Sequence, residues 1–503
     1  GPHSETEIRH GVERPRGTDF AAVQGRGRAA VTGAGRGHAA GTGIGRGRAV
    51  AVRGRTGGET DVLVVGGGVI GLSCALACRW RGLGVTLLEK GVTGGQASGA
   101  AAGLLAPFSE NGEQPDAFFQ LCRESFAMFG DWLDRLREWT DRDVELVRCG
   151  TVHVAFHEAD EWPMTVRARW QREHGVRAEW VGAARLRELE PSLCPDAVGA
   201  LFYPDEAHLR APVYAEALRE ACERAGVVIV ERANGLQIRL TGDAVVLESG
   251  AGESGPTGEG GATGKFGGGD AGSGAGNRKE GPVAGRWEAG RLILCTGAWS
   301  AGWQEALGIR IPVHPIRGQI CSFPVPFGRV RRIVFSPQGY AVGKKNGTLV
   351  CGASEDVAGF DASVTEEGIG RLVRMGRRLF PELADVAPCH AWAGLRPATR
   401  DGWPLIGPVN ERVFCAFGHY RNGVLLSPVT AAWAAAWAAG GEWKAEKTGS
   451  GRRAETVGGG RRAAREGDAK RTDRDTDVWA PGVPAFRAAF DPRRFTPAAT
   501  AAT

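Results

Sequence analysis

The segment DVLVVGGGVIGLSCALACRWRGLGVTLLEK at residues 61–90 constrains the fold more than any other part of the chain. Its first apolar run, Val62 to Val65, is too short for a helix and is typical of a strand buried on both faces. Three glycines in GxGxxG spacing follow, then a helix-like stretch, and then a second apolar run that ends at Glu89. This order of strand, glycine turn, helix and strand predicts a βαβ unit that binds a dinucleotide.

Each glycine of this fingerprint has its own physical role. Gly66 permits the tight turn, Gly68 lets the backbone approach a pyrophosphate, and Gly71 lets the helix pack closely against the strand. The helix N-terminus presents N–H groups and a partial positive charge to the phosphates. Glu89 stands 18 residues after Gly71, where its carboxylate can accept hydrogen bonds from an adenosine ribose. The fingerprint alone leaves NAD and FAD as alternatives.

Three stretches of low complexity are not expected to contribute to a core, because they contain too few apolar residues. Residues 1–58 are rich in Gly, Ala and Arg, residues 249–286 are rich in Gly and in other small or polar residues, and residues 440–477 mix charges with Gly and Thr. The remaining segments have together the size of one two-lobed enzyme unit. These segments are 59–248, 287–439 and 478–495.

Charge and cysteine usage exclude several function classes. Residues 21–58 contain seven Arg and no acid, so the formal net charge of +5 belongs to the tail, and we expect no nucleic-acid-binding surface on the folded part. The eleven Cys form no CxxC pair or Cys/His cluster, which predicts reduced thiols and no metal site.

The N-terminus has no apolar signal region, and we expect a cytoplasmic protein. The uncharged run 424–441 is Ala-rich and interrupted by Ser-Pro, which predicts a buried helix rather than a membrane span.

Two arginines stand in apolar surroundings, unlike arginines of a solvated surface. Arg396 lies in HAWAGLRPATRDGWPLIGP and Arg421 in VFCAFGHYRNGVLLSP. A guanidinium in such a setting needs an anionic partner, and a carboxylate matches its fork geometry. From the residues alone, that partner is either a substrate carboxylate or a protein acid such as Asp401.

The segments VVGGGVIG, SGAAAGLLAP, CTGAWS, PIRGQI, AGLRPATRDGWPLIG and GHYRNGVLLSP follow one another in this order. On these segments the chain resembles the glycine oxidases of the D-amino acid oxidase superfamily, and GHYRNG separates it from relatives that act on other amines. The resemblance covers the whole foldable part. It implies an α/β fold of two lobes, with a Rossmann-like FAD-binding domain and an antiparallel-sheet substrate domain that are both discontinuous in sequence.

The resemblance also implies roles for individual residues. Arg396 and Tyr340 would bind the substrate carboxylate, and Arg421 would take the other substrate-contacting position at the flavin edge. The remaining expected positions line the cofactor. These are Gly66, Gly68, Val69, Ile70, Gly71, Glu89 and Lys90 at the ADP half, Ala97, Ser98, Ala102, Gly103 and Leu104 near the flavin and ribityl portion, Gly235 near adenine, and His419, Tyr420, Asn422, Gly423, Val424 and Leu425 along the flavin. Gly297 is expected to contact the cofactor as well.

The resemblance further implies noncovalent FAD, because a cysteine that holds the flavin in sarcosine oxidase relatives would fall near Gly394, where none is present. It implies oxidation of glycine, sarcosine or small D-amino acids by hydride transfer, with electrons passing to dioxygen and hydrogen peroxide as a product. The imine would serve thiamine thiazole synthesis, with thiazole synthase and the sulfur carrier protein as partners. A homo-oligomer is also expected. Leu104 and Phe335 depart from residues common in the family, so the substrate range is an open expectation.

Two alternatives remain beside this interpretation. One is a D-amino acid or sarcosine-type dehydrogenase that uses an electron carrier, and the other is an RNA-binding scaffold that acts through the Arg-Gly tail.

The expected division of the chain follows the family. It assigns 59–150, 236–312 and 391–439 to the FAD-binding domain, 151–235 to the substrate domain and the return from it, 313–390 to the substrate domain, 478–495 to a closing segment, and 1–58, 249–286 and 440–477 to disordered stretches.

Overall fold

The structure, a computed structural model, describes residues 60–110, 114–249, 283–441 and 485–497. The three low-complexity stretches lie mostly outside these residues. The structure describes none of 1–58, only residues 440 and 441 of 440–477, and only residues 249 and 283–286 of 249–286. The described part contains nineteen strands. They are β1 Val62–Val65, β2 Val85–Leu88, β3 Leu104–Leu105, β4 Thr151–Ala155, β5 Glu179–Gly182, β6 Gly199–Tyr203, β7 Ala207–His208, β8 Val228–Val230, β9 Leu236–Leu240, β10 Val245–Ser249, β11 Gly285–Ala289, β12 Arg291–Leu294, β13 His314–Pro324, β14 Ile333–Ser336, β15 Gly339–Lys344, β16 Thr348–Gly352, β17 His390–Ala398, β18 Leu405–Pro408 and β19 Val413–Phe417.

The α-helices of the same residues range from one turn to 21 residues. They are α1 Val69–Trp80, α2 Ala97–Ala100, α3 Ala117–Arg137, α4 Glu161–Glu173, α5 Ala183–Leu189, α6 Ala211–Arg224, α7 Gln304–Leu307, α8 Glu366–Leu379 and α9 Gly423–Ala438. Helix α9 is buried along nearly its whole length, as its uncharged sequence predicts. None of the helices that the structure describes is long and apolar enough to cross a membrane.

The first of the two large sheets has six strands in the order β18-β19-β12-β1-β2-β8. Strands β1 and β2 pair in parallel and are buried at every position, because their Val and Leu side chains face packed neighbours on both sides. Strand β12 continues the parallel set beside β1, and only β18 runs antiparallel at the edge. Helices α1, α6 and α9 cover one face in a common hydrophobic cluster. The βαβ prediction for residues 61–90 is confirmed.

The second large sheet has eight strands in the order β17-β13-β16-β15-β14-β4-β6-β5. It is antiparallel except for the pair β4 and β14, which run parallel. The mixed α/β fold expected from the sequence is therefore present. Strand β17 pairs with β13, so residues 391–398 belong to this eight-stranded sheet. The later strands of segment 391–439, β18 and β19, belong to the six-stranded sheet. The division into lobes at the boundaries given above stays a prediction.

Two smaller features join these layers. Strands β10 and β11 pair antiparallel with Ser249 opposite Gly285, so segment 249–286 connects the two arms of a hairpin. In the closing segment, Phe490 is fully buried and its ring lies against Trp433 of α9 and Trp403. The segment thereby packs against the helices of the six-stranded sheet.

Candidate active site

The fingerprint turn after β1 is shaped by its glycines in the way that the sequence predicts. Gly66 has φ +105°, and a Cβ there would lie 2.3 Å from the carbonyl oxygen of Cys295. A Cβ on Gly71 would lie 1.8 Å from the carbonyl oxygen of Gly66, so the helix reaches the strand only because both side chains are absent. At Gly68 the nearest atom is the Ser98 hydroxyl at 3.1 Å, and the residue borders a cavity. This position is therefore open to a ligand.

The carboxylate of Glu89 is fixed at the edge of the same cavity. Its Oε2 accepts a hydrogen bond from the Gly67 N–H at 2.6 Å, and its Oε1 accepts one from the Gly91 N–H at 2.8 Å. Beside it, the Lys90 ammonium lies 3.1 Å from the ring centre of Trp299, and burial lowers the pKa of Lys90 to about 8. An acceptor held by two backbone N–H groups is preorganised for the hydroxyls of a ribose.

The cavity, which we call the cofactor cavity, extends from this turn to the edge of the eight-stranded sheet. Most of the positions expected to line a cofactor do line it. They are Gly66, Gly68, Val69, Ile70, Glu89, Lys90, Ala97, Ser98, Ala102, Gly103, Leu104, Gly235, Gly297, His419, Tyr420, Arg421, Gly423 and Val424. Residues that are far apart in the sequence thus meet around one space.

Three expected positions do not line the cofactor cavity. Gly71 faces the fingerprint backbone, where its role is close packing. Asn422 is buried and donates its N–H to the His419 carbonyl at 2.9 Å, at the point where α9 begins. Leu425 is buried inside the helix layer, and its carbonyl accepts a hydrogen bond from the Ser125 hydroxyl at 2.6 Å. One helical turn carries residues on all sides, so a contiguous run cannot place every member on one surface.

The start of α9 points its first residues, Gly423 and Val424, into the cofactor cavity. A helix N-terminus carries a partial positive charge, which would stabilise negative charge on a bound ring. Nearby, burial lowers the pKa of His419 to about 3, and its Nε2 lies 3.1 Å from the Thr430 hydroxyl. His419 is therefore a neutral wall of the cavity.

The opposite end of the cavity is built on four adjacent strands, β17, β13, β16 and β15. Arg396 projects from β17 over Gly318 of β13, since a Cβ on Gly318 would come within 2.4 Å of the Arg396 Cζ. Tyr340 of β15 reaches over Gly352 of β16, where a Cβ would lie 2.5 Å from the phenol oxygen. The two middle strands thus leave room for a guanidinium and a phenol on one face of the sheet.

Arg396 has no carboxylate within ion-pair distance among the residues that the structure describes. Its Nη1 donates to the Ser354 carbonyl at 2.9 Å. The alternative partner, Asp401, instead pairs with Arg494, with Nη2 to Oδ1 at 2.9 Å and Nε to Oδ2 at 3.1 Å. The structural salt bridge between Arg396 and Asp401 is therefore not formed, and the guanidinium remains available to a carboxylate from solution.

Arg421 borders the same space but already has a protein partner. Its Nη1 lies 3.2 Å from the Glu355 Oε1, and the Tyr420 hydroxyl donates to the same oxygen at 2.9 Å. Burial raises the pKa of Tyr340, which keeps its hydroxyl protonated and able to donate to an anion. Of the two arginines, Arg396 is thus the one without a protein carboxylate partner among the described residues, and Tyr340 and Arg421 line the cavity with it.

Sequence reasoning missed Glu110, a carboxyl group that lines the cavity at its substrate end. Burial raises the pKa of Glu110, while the positive charges of Arg421 and Arg396 oppose that shift. No pattern in SENGEQPD marks this residue, although it follows the small-residue run 94–107 by three positions. The cavity therefore contains an acidic group that the sequence motifs do not indicate.

The cavity offers no room for a side chain that could attach a flavin at Gly394. A Cβ there would lie 2.6 Å from the Ala100 Cβ. The thiol of Cys389 is turned away and donates to the Ser322 carbonyl at 3.3 Å. The residues present thus fit FAD held without a covalent bond at position 394 or at Cys389.

Comparison with known proteins agrees with this geometry. A family model described as FAD dependent oxidoreductase (DAO) matches residues 61–437. The chain is 30% identical over 374 residues to the glycine oxidase of Geobacillus kaustophilus, across 74% of this chain and 90% of that protein. The crystal structure of glycine oxidase from Geobacillus kaustophilus matches with a TM-score of 0.66 and 30% identity, covering 76% of this chain and 95% of that one.

A longer relative matches through part of its length. The chain is 30% identical over 385 residues to the bifunctional protein ThiO/ThiG of Synechocystis sp., across 74% of this chain and 50% of that protein. The chain therefore spans about half of this bifunctional relative. Given the family model over 61–437 and the nearly full-length match to a glycine oxidase, the chain belongs to the DAO family of FAD-dependent oxidoreductases and, within it, to the glycine oxidases.

Proposed function

We propose that this enzyme oxidises glycine and other small amino acids, transferring two electrons to FAD and then to dioxygen. The observation that carries the proposal is the Arg396 guanidinium, which lies in the cofactor cavity without a protein carboxylate partner among the described residues. Arg396 is half-buried, and withdrawing a cation from water is costly unless it is paired, so this position is suited to the carboxylate of a substrate. The names of the relatives support an amino acid as that substrate.

The roles of the protein groups follow from their positions. Arg396 and Tyr340 would hold the carboxylate from the sheet side, and this fixes the α-carbon toward the cofactor half of the cavity. The apolar wall formed by residues such as Leu104 and Ile320 would exclude water around the α-carbon. Bound FAD supplies the hydride acceptor and the site of dioxygen reduction. We assign no general base, and the neutral amine would be the reactive form.

The overall reaction would convert glycine, dioxygen and water into glyoxylate, ammonia and hydrogen peroxide. The imine formed before hydrolysis is the species that a second enzyme could capture. Because a relative carries the name ThiO/ThiG, we propose thiamine thiazole synthesis as the destination of this imine. The proposed partners are therefore a thiazole synthase and its sulfur carrier protein.

The test is a steady-state assay of the FAD-loaded protein with glycine, in which peroxide and ammonia are measured together. The two products should form in equal amounts, and Arg396→Met should lower kcat/KM by about 30- to 1000-fold, because losing a charge-assisted contact costs about 2 to 4 kcal/mol. Arg400→Met is the matched control, since Arg400 is exposed and lines neither end of the cavity. If wild-type protein forms no peroxide from glycine or any small amino acid, the proposal is wrong.

A further inference from the structure

A second cavity adjoins the substrate end, and we call it the vestibule. It shares Glu110, Tyr340, Arg396 and Arg421 with the cofactor cavity. Its other side chains include His153, Trp162, Arg167, Arg371, Arg374 and Arg378. Trp162 is 70% exposed, so the vestibule opens to solvent. Its volume of about 1290 Å³ exceeds the roughly 300–1,000 Å³ of typical small-ligand pockets, and glycine alone would leave most of it empty.

The charge of the vestibule is strongly positive. Among the residues that the structure describes, six arginines line it, and its acidic side chains are Glu110 and Glu355. Glu355 is already occupied by Arg421 and the Tyr420 hydroxyl. The low-dielectric walls of a concave site concentrate the field of such charges, so the vestibule attracts anions.

Three of the arginines come from one face of helix α8, because Arg371, Arg374 and Arg378 follow the spacing of successive helical turns. Arg371 lies 3.3 Å from Asp356, which also pairs with Arg317. Arg374 has no ion pair or hydrogen bond within the described part of the chain. The Arg378 guanidinium lies 4.5 Å from the ring centre of Phe156 and has no carboxylate partner there.

The fourth arginine, Arg167, faces the vestibule from helix α4. Its Nη2 donates to the carbonyls of Ser109 and Phe108 at 2.5 and 3.2 Å, and its Nε is buried without a hydrogen-bond partner among the described residues. His153 stands beside it, and burial together with the charge of Arg167 lowers its pKa to about 4. Neutral carbonyls leave the charge of Arg167 uncompensated, and a buried guanidinium N–H favours an anionic acceptor.

From these contacts we infer that the vestibule binds a second acid group on the substrate, so that the enzyme also oxidises small amino acids with a distal carboxylate on the nitrogen or on the α-carbon. The inference rests on the proposed function. Arg396 lines both cavities, so a substrate whose α-carboxylate is held there has the vestibule, which Arg374 and Arg378 also line, open to its other end.

The chemistry of such substrates balances as it does for glycine. Iminodiacetate would lose a hydride from one α-carbon and a proton from nitrogen, and hydrolysis of the imine by water would release glyoxylate and glycine. D-Glutamate would give 2-oxoglutarate and ammonia. In both cases dioxygen takes the two electrons and becomes hydrogen peroxide.

The experiment compares each charged substrate with a neutral partner of the same size, using kcat/KM from peroxide formation. Iminodiacetate is paired with its monoamide, and D-glutamate with D-glutamine. We expect the charged member of at least one pair to be preferred about tenfold or more, as for a charge-assisted contact. The pair that shows the preference distinguishes a group on nitrogen from one on the α-carbon.

The variant Arg374→Gln/Arg378→Gln should remove this preference while kcat/KM for glycine stays within about twofold. Arg374→Lys/Arg378→Lys should restore most of the preference for the charged substrate. The single variant Arg374→Gln leaves the contact between Arg378 and Phe156 in place, so it separates the effect of charge from the effect of losing that contact. Arg239→Gln, on β9 and away from both cavities, is the control.

The preference should also weaken at high salt, because part of the vestibule is open to solvent. If glycine is oxidised but neither charged substrate is preferred, or if the double variant lowers both members of a pair equally, the inference is wrong and the proposed function stands. If no amino acid is oxidised, both fail.

Discussion

The guanidinium of Arg396 lies directly over Gly318 of the neighbouring strand, so that a Cβ at position 318 would come within 2.4 Å of Cζ and of Nη2. Gly318 lines the cofactor cavity but carries no chemistry of its own. Its contribution is the empty volume that allows Arg396 to lie flat against the sheet. The carboxylate-binding geometry that we propose therefore depends on the absent side chain of Gly318 as much as on the guanidinium of Arg396.

This relationship predicts that Gly318→Ala impairs catalysis without preventing folding. The atom displaced is the far end of a flexible side chain, so the protein can accommodate the methyl group by moving Arg396 away from the substrate carboxylate. We expect kcat/KM for glycine to fall about 100-fold, which corresponds to about 2.7 kcal/mol, while FAD binding is retained. Gly290→Ala is the matched control, since the nearest atom to its Cβ is 3.8 Å away. Unchanged kinetics in Gly318→Ala would show that Arg396 does not need its observed position.

A second prediction concerns Glu89 and the cofactor. Glu89→Ala removes an acceptor of two backbone N–H groups and, in our proposal, a contact with the ribose of FAD. We expect FAD to bind about 10- to 100-fold more weakly, as hydrogen bonds to charged groups contribute about 1.5 to 3 kcal/mol. Glu231→Ala is the control, because Glu231 accepts hydrogen bonds from the Thr93 N–H and hydroxyl but does not line the cavity. Titration of the two FAD-free variants with FAD, followed by flavin fluorescence, measures the difference. Equal affinities in the two variants would remove Glu89 from the cofactor site.

Glu110 should weaken the binding of carboxylates when it is ionised. Burial raises its pKa, and its negative charge, once formed, offsets the positive charges of Arg396 and Arg421. Glu110→Gln should therefore tighten the binding of acetate as a competitive inhibitor by about fivefold, equivalent to about 1 kcal/mol of charge interaction. The effect should grow as pH rises and Glu110 in the wild type ionises. Glu367→Gln, at the start of α8, serves as control. Weaker acetate binding in Glu110→Gln would indicate that Glu110 contacts the inhibitor directly.

Stability should fall as the medium becomes acidic, because buried imidazoles remain neutral in the native state. Burial and the Lys344 charge lower the pKa of His208 to about 2, and burial lowers that of His419 to about 3. Between about pH 6.5 and 3 the unfolded chain binds protons that the native chain does not. Each imidazole therefore removes about 1.4 kcal/mol from the free energy of unfolding per pH unit as pH falls.

The variant His208→Gln tests this pH dependence and keeps an acceptor for the Lys344 ammonium. Urea unfolding between pH 4 and 6 should show a slope against pH that is smaller by about 1.4 kcal/mol per unit in the variant. His314→Gln replaces an exposed histidine and should leave the slope unchanged. A slope in His208→Gln equal to that of the wild type would mean that His208 is protonated in the folded protein.

The cofactor half of the site could be predicted from the sequence because its parts are contiguous. Strand β1, the glycine turn, helix α1 and strand β2 fall within 30 residues, and the packing constraint on Gly71 comes from the Gly66 carbonyl within the same turn. The constraint on Gly66 comes instead from Cys295, which is distant in sequence. The burial of α9 could also be predicted from its own residues, because the run 424–441 contains no charged side chain. The fold class followed from these units together with the resemblance to a family.

The substrate half could not be derived in this way. Nothing in the composition of PIRGQI or VCGA shows that Gly318 lies under Arg396 or Gly352 under Tyr340, because these relationships depend on the register of β13, β16 and their neighbours. Glu110 was missed because it lies in a loop without periodicity. The positions Asn422 and Leu425 were placed at the cavity by continuity of a motif, and helix geometry turns them away.

The most direct test of the central claim is the visible absorption spectrum of the FAD-loaded protein, recorded without oxygen before and after glycine is added. We predict that the oxidised flavin band is lost on addition of glycine and returns promptly, with hydrogen peroxide, when air is admitted. A band that glycine bleaches but air restores only slowly would instead indicate a dehydrogenase that uses an electron carrier. A band that responds to no small amino acid would contradict the assignment of Arg396 and Tyr340 as the carboxylate site.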